Sequence, residues 1–123
     1  LSGRELLRYV GLLRGVDPGT VAARSEELLA VLGLTADADT LVVDYSAGMT
    51  KKVALACALI HAPRLLVLDE PFESVDPVSG ETIRGILKRY VESGGTVVLS
   101  SHVLELVERT SIGRLYLGLG FRG

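Results

Sequence analysis

The chain has 123 residues, 13 basic against 15 acidic side chains for a net charge of −2, 48% apolar residues and a mean hydropathy of +0.39. That length holds one modest domain with a buried core. The longest apolar run, Val53 to Ile60, falls far short of the roughly 20 residues of a membrane span, and the lack of a basic block or stacking aromatics argues against nucleic acid as a partner. The one cysteine, Cys57, has no internal disulfide partner and reads as a small core residue in a reducing compartment. The chain opens at Leu1 without methionine and shows no signal-peptide pattern, so it reads as an excised piece of something longer.

Ser2 with Glu5 three places on is a capping-box pattern, and it predicts a helix whose Leu6, Leu7, Val10 and Leu13 share a face before Gly15. Asp17-Pro18-Gly19 reads as a turn, followed by a second helix from about Thr20 that carries Val21, Leu28, Leu29 and Leu32 and closes at Gly33. A third helix is predicted to begin at Ser46. Its Met49, Val53, Ala56, Cys57 and Ile60 form one apolar stripe, and His61-Ala62-Pro63 ends it.

From residue 63 the texture changes. Leu65 to Leu68 is an apolar run without alternation, the pattern of a strand covered on both faces in a parallel sheet, and Thr96 to Leu99 repeats it. Between them Asp76 caps a helix with Pro77 at its first position; Ile83, Ile86, Leu87, Tyr90 and Val91 give its stripe, and Ser93-Gly94-Gly95 breaks it. Strand, crossover helix and strand make a right-handed parallel unit. The fold class is therefore α/β, with helical residues 1–62 leading into a β-α-β piece over 63–123.

Ligands of a parallel sheet gather beyond the carboxyl ends of its strands. Here those ends carry Asp69-Glu70 on one strand and Ser100-Ser101-His102 on the other. A buried strand that delivers two successive carboxylates has a use in phosphoryl chemistry: one holds Mg²⁺, the next orients or deprotonates an attacking water. An acidic loop after a strand is also common without any such role. Ser46-Ala47-Gly48 offers a helix N-terminus, a hydroxyl and a residue without a Cβ, which together suit a phosphate; an ordinary serine N-cap accounts for the same residues. Lys51 and Lys52 oppose the helix dipole by ~0.3 to 1 kcal/mol each, which an anion would offset, though solvated lysines off the apolar stripe are the plainer reading. His102 suits a γ-phosphate or water contact, or simply a helix start. His61 reads as structural, and the two histidines and one cysteine have no zinc-ligand spacing.

Taken together, these residues resemble a known family. Tyr45-Ser46-Ala47-Gly48-Met49 resembles the signature motif of ATP-binding cassette (ABC) ATPases, L-S-G-G-Q in its common form, in the variety found in drug and antibiotic exporters. Leu65 to Glu70 resembles the Walker B strand, Glu73-Ser74-Val75-Asp76 the D-loop and Ser101-His102 the H-loop; the likeness runs from Leu1 to about Arg109. It implies a partial P-loop NTPase fold: a helical subdomain over 1–62, ending in the signature helix, and part of the ATPase core over 63–123. Two nucleotide-binding domains would pair head to tail. Ser46, Ala47 and Gly48 would then meet the partner's ATP, Asp69 would serve Mg²⁺, Glu70 would be the base for water, His102 would hold the γ-phosphate side and Asp76 would bridge the dimer.

The resemblance also implies a membrane-embedded permease partner and a place at the cytoplasmic face of the membrane. Ala47 for glycine and Met49 for glutamine depart from the common signature. No G-x-x-x-x-G-K-[ST] loop, whose backbone N–H groups and lysine cradle phosphates, occurs in the chain. The Q-loop glutamine is missing as well. The alternative reading is therefore a remnant or interaction module that binds no ATP by itself. ABC-like ATPases of chromosome maintenance and DNA repair share the signature logic, but no sustained heptad pattern is present. Residues 110–123 do not align with the family, and a short strand at Leu115 to Leu117 is the one element expected there.

Overall fold

A computed structural model describes residues 1–73, 75–100 and 115–117, with backbone alone at residues 100 and 115–117. Among the described residues the order is α1 (Gly3–Leu13), α2 (Pro18–Val31), 3₁₀ turns at Thr35–Asp37 and Val42–Asp44, α3 (Ala47–Leu59), β1 (Leu65–Asp69), α4 (Pro77–Glu92), β2 (Thr96–Ser100) and β3 (Leu115–Leu117). The strands form one parallel sheet in the order β1-β2-β3.

Each helix starts where side-chain oxygen satisfies its first orphan N–H groups. The capping box at α1 is complete: the Glu5 N–H donates to Ser2 Oγ at 3.1 Å and the Ser2 N–H donates to Glu5 Oε1 at 2.8 Å. Its buried face differs from the one expected, because Gly3, Leu7 and Gly11 turn inward while Leu13 is 68% exposed. The reason is close helix contact. A Cβ at Gly11 would lie 2.9 Å from Val21 Cγ2 and 3.1 Å from Ile60 Cγ1, and one at Gly3 would collide with Tyr45, so the two glycines beside Leu7 let α1 come close to its neighbours. The turn expected at 17–19 is instead the start of α2, with the Thr20 N–H donating to Asp17 Oδ2 at 3.0 Å and Pro18 at the first helical position, where its missing N–H costs nothing.

Helix α4 buries Ile83, Ile86, Leu87 and Val91, with Tyr90 half-buried, as its stripe predicts. These join Leu7, Leu29, Leu32, Leu34, Val53, Leu55, Ala56, Leu66, Val97 and Leu99 in one continuous core. Fully burying a leucine or isoleucine contributes about 1.5 to 3 kcal/mol, so this packing rather than intrinsic propensity stabilises helices so short.

Strand β1 departs from expectation on one face. Leu66 is 3% exposed, but Leu65 is 54% and Val67 67% exposed. Helices cover the Leu66 side, and the opposite side at β1 is open. A run of apolar residues therefore says that a strand is apolar on both faces, not that both faces are covered.

Candidate functional site

The carboxyl end of β1 and the amino ends of α3 and α4 gather at one end of the molecule. Two observations place them together. The Lys51 ammonium, in α3, donates to the main-chain carbonyl of Glu70 at 2.8 Å, joining the helix that starts at Ser46 to the tip of the strand. A Cβ at Gly48 would sit 3.7 Å from both Asp76 Oδ1 and Ser79 Oγ, so the first turns of α3 and α4 are neighbours. Ser46 and Ala47 are exposed at this end, and Gly48 is half-buried.

The Ser46 hydroxyl accepts the Met49 N–H at 3.1 Å, which makes it the N-cap of α3. Asp76 caps α4 through one carboxylate oxygen that accepts the Val78 and Ser79 N–H groups, both at 3.1 Å. These bonds stabilise the charged form. Hydrogen bonding with Ser79, side chain first and then backbone, holds the Asp76 carboxyl below the ordinary aspartate range. Asp69 is the last residue of β1, opposite Ser100 in the register of β2. Glu70 follows in the left-handed region, with φ of 50°, a backbone that side-chain-bearing residues rarely adopt and that costs about 1 to 3 kcal/mol. The turn closes as the Glu73 N–H donates to the Glu70 carbonyl at 3.1 Å. Pro71 is buried behind it, and the Arg84 guanidinium lies 5.5 Å from the centroid of the Phe72 ring. His102 and Ser74 lie outside the described residues.

A cavity of about 260 Å³ separates α3 from this end of the sheet, lined by Lys51, Ala54, Leu55, Val67, Asp69 and Pro71 among others. No group of three or more His, Cys, Asp or Glu side chains that could enclose a metal exists among the described residues. Asp69, which lines this cavity, is a single carboxylate of the kind that can serve Mg²⁺ when phosphate and water complete the shell.

Residues 4–73 match the family described as ABC transporter. The chain belongs to that family. Among curated relatives it is 37% identical over 121 residues to the bacitracin transport ATP-binding protein of Enterococcus faecalis, covering 96% of this chain and 38% of that one. It is 36% identical over 108 residues to the linearmycin resistance ATP-binding protein of Bacillus subtilis, covering 88% and 35%. A solved ATP-binding subunit of an ABC transporter superposes with a TM-score of 0.81 at 28% identity, over 89% of this chain and 46% of that one. A dimeric ATP-binding cassette bound to ADP and Pi gives a TM-score of 0.76 at 26% identity. The chain thus spans a little over a third of the length of each of these two relatives. Its fold is a partial α/β fold shared with these ATPases.

Two residues at this end were not singled out by sequence reasoning for the parts they play. Lys51 is half-buried and engaged, not solvated; its position off the apolar stripe says only that it does not face the main core. Tyr45, the first residue of the signature stretch, donates its hydroxyl to the Asp37 carbonyl at 2.8 Å and packs where a Cβ on Gly3 would collide with it. Neither partner lies at a helical spacing, so no local pattern announces the contact.

Proposed function

We propose that this chain is the signature and Walker B portion of the ATP-hydrolysing subunit of an ABC exporter, with residues 1–62 as helical subdomain and 63–123 as part of the ATPase core. In this reading Asp69 holds Mg²⁺, Glu70 is the base for the attacking water and His102 steadies the γ-phosphate. Ser46, Ala47 and Gly48 face the ATP of a second nucleotide-binding domain paired head to tail, and Asp76 lies at the boundary between the two. ATP hydrolysis then drives a membrane-embedded permease from the cytoplasmic face of the membrane. The observation that carries the proposal is the shared location of the β1 tip and the α3 N-terminus, joined by Lys51, since ABC chemistry needs both motif sets at one surface. Export is favoured by the Tyr45 and Met49 variant of the signature, and relatives whose printed names refer to antibiotic resistance or export share this segment.

The test is Glu70→Gln in the complete subunit. Turnover should fall by about two to four orders of magnitude, the range for losing a general base, with ATP binding retained. Turnover at the wild-type rate would remove Glu70 from its role.

The second reading concerns the 123 residues by themselves, which contain no G-x-x-x-x-G-K-[ST] loop. The isolated segment then binds no ATP and donates its signature helix to another subunit. Titrating it with ATP distinguishes the two readings: micromolar affinity would exclude the second.

A further inference from the structure

The Lys51 side chain belongs to neither motif, yet it joins them. It leaves α3 just over one turn after the Ser46 cap, lines the cavity between helix and sheet, and ends 2.8 Å from the Glu70 carbonyl oxygen. That carbonyl belongs to the residue in the left-handed conformation, and it also accepts the Glu73 N–H that closes the turn. A charge-assisted hydrogen bond at this distance is about twice as strong as a neutral one. It acts on the peptide that sets the direction of the Glu70 side chain.

We infer that Lys51 is a positioning residue for Glu70: by clamping the Glu70 carbonyl it holds the strained turn that aims the carboxylate, and it ties that aim to the placement of the α3 N-terminus. The inference rests on the proposed role of Glu70 as base and adds to it a direct mechanical link. An anion that draws on the Ser46 turn moves the helix carrying Lys51, and the lysine passes the movement to the Glu70 peptide. The turn at Ser46, which serves one nucleotide site, thereby adjusts the base of the other within a single chain. Backbone strain at Glu70 gives the link its purpose, since a left-handed glutamate persists only where surrounding contacts over-determine it.

The test uses Lys51→Met, which keeps the stem and removes the donor, and Lys51→Arg, which keeps a cationic donor. In the isotopically labelled 123-residue chain, Lys51→Met is expected to move the Glu70 carbonyl ¹³C resonance and to speed amide exchange at Glu73 by about tenfold as the turn loosens. Lys51→Arg should leave both near wild type. In the complete subunit, Lys51→Met should lower kcat by about ten- to a hundredfold, the scale set by misplacing a catalytic group by an ångström, with KM for ATP changed by no more than about twofold. Lys51→Arg should restore most of the rate. Should Lys51→Met fail to fold, Lys51→Gln, with a shorter neutral donor, takes its place and should shift the Glu70 carbonyl and lower kcat relative to Lys51→Arg; wild-type values in Lys51→Gln then overturn the inference. A Glu70 carbonyl resonance that does not move in Lys51→Met, or a wild-type kcat in that variant of an active subunit, overturns the inference. An unmodified subunit that hydrolyses no ATP, beside a shifted Glu70 carbonyl in Lys51→Met, overturns the functional reading and supports the Lys51 clamp.

Discussion

Tyr45 stands at the head of the signature stretch, and its structural role can be measured apart from any nucleotide. Its hydroxyl donates to the Asp37 carbonyl at 2.8 Å, tying the Thr35–Asp37 turn to the start of α3. Removing that hydroxyl in Tyr45→Phe leaves the carbonyl short of a partner and should cost about 1 kcal/mol. The neighbouring Gly3 supplies a sharper check. A Cβ there would lie 2.2 Å from the Tyr45 hydroxyl oxygen and 3.2 Å from the ring carbon that bears it. Alanine is favoured over glycine by about 1 kcal/mol in a helix interior and by less at the first helical position, which Gly3 occupies, so Gly3→Ala would be neutral to mildly stabilising at an open site. Here the clash reverses the sign, and overpacking should cost about 1 to 3 kcal/mol.

Deleting the hydroxyl removes the closest obstacle. The double variant should therefore be less destabilised than the sum of the two singles, with a coupling of about 1 kcal/mol or more. Urea unfolding followed by circular dichroism measures all four corners of the cycle. With a slope of about 1 to 3 kcal/mol per molar urea for a small protein, Tyr45→Phe should lower the midpoint by roughly 0.3 to 1 M. Additive effects, or a Gly3→Ala variant more stable than wild type, would show that the Tyr45 hydroxyl does not occupy this position.

The Cys57 thiol is pushed up to about 11 by burial in α3. Its thiolate fraction at pH 8 is then about a hundredfold below that of an unburied cysteine, and a thiol reagent should react more slowly by about that factor; labelling at the rate of a small thiol would contradict the burial. Asp76 carries a pH signature because its hydrogen bonds with Ser79 lower the folded pKa. A lowered carboxylate stabilises the fold above its unfolded pKa and loses that contribution as the pH falls through the folded value. The stability difference between wild type and Asp76→Asn should therefore be largest near neutrality and shrink below the ordinary aspartate range, whereas a difference that grows on acidification would reverse the assignment.

Much of this architecture is local chemistry and was legible along the chain. Ser2, Ser46 and Asp76 each announce a helix start because a short polar side chain satisfies N–H groups two or three residues away. The α4 stripe and the strands at Leu65, Thr96 and Leu115 follow from the period and length of their apolar runs. The stretches at Ser46, Asp69-Glu70, Asp76 and His102 carried the family resemblance in the same way, as short local patterns standing in a fixed order along the chain.

What the chain order could not carry was contact between distant segments. That α1 buries Gly3 and Gly11 while leaving Leu13 exposed depends on how closely Val21, Ile60 and Tyr45 approach it. Asp17 was readable as a turn residue, and its service as a cap emerges only with the backbone of Thr20 in place. The open side of β1 at Leu65 and Val67 is likewise a matter of what packs beside the strand, which apolar composition does not encode. Lys51 is the clearest case. A lysine off the core stripe has no local reason to be anything but solvated, and only the juxtaposition of α3 with the end of β1 brings its ammonium to the Glu70 carbonyl. Short-range periodicity and capping act between neighbours along the chain, whereas the placement of a side chain across elements is set by packing of the whole core.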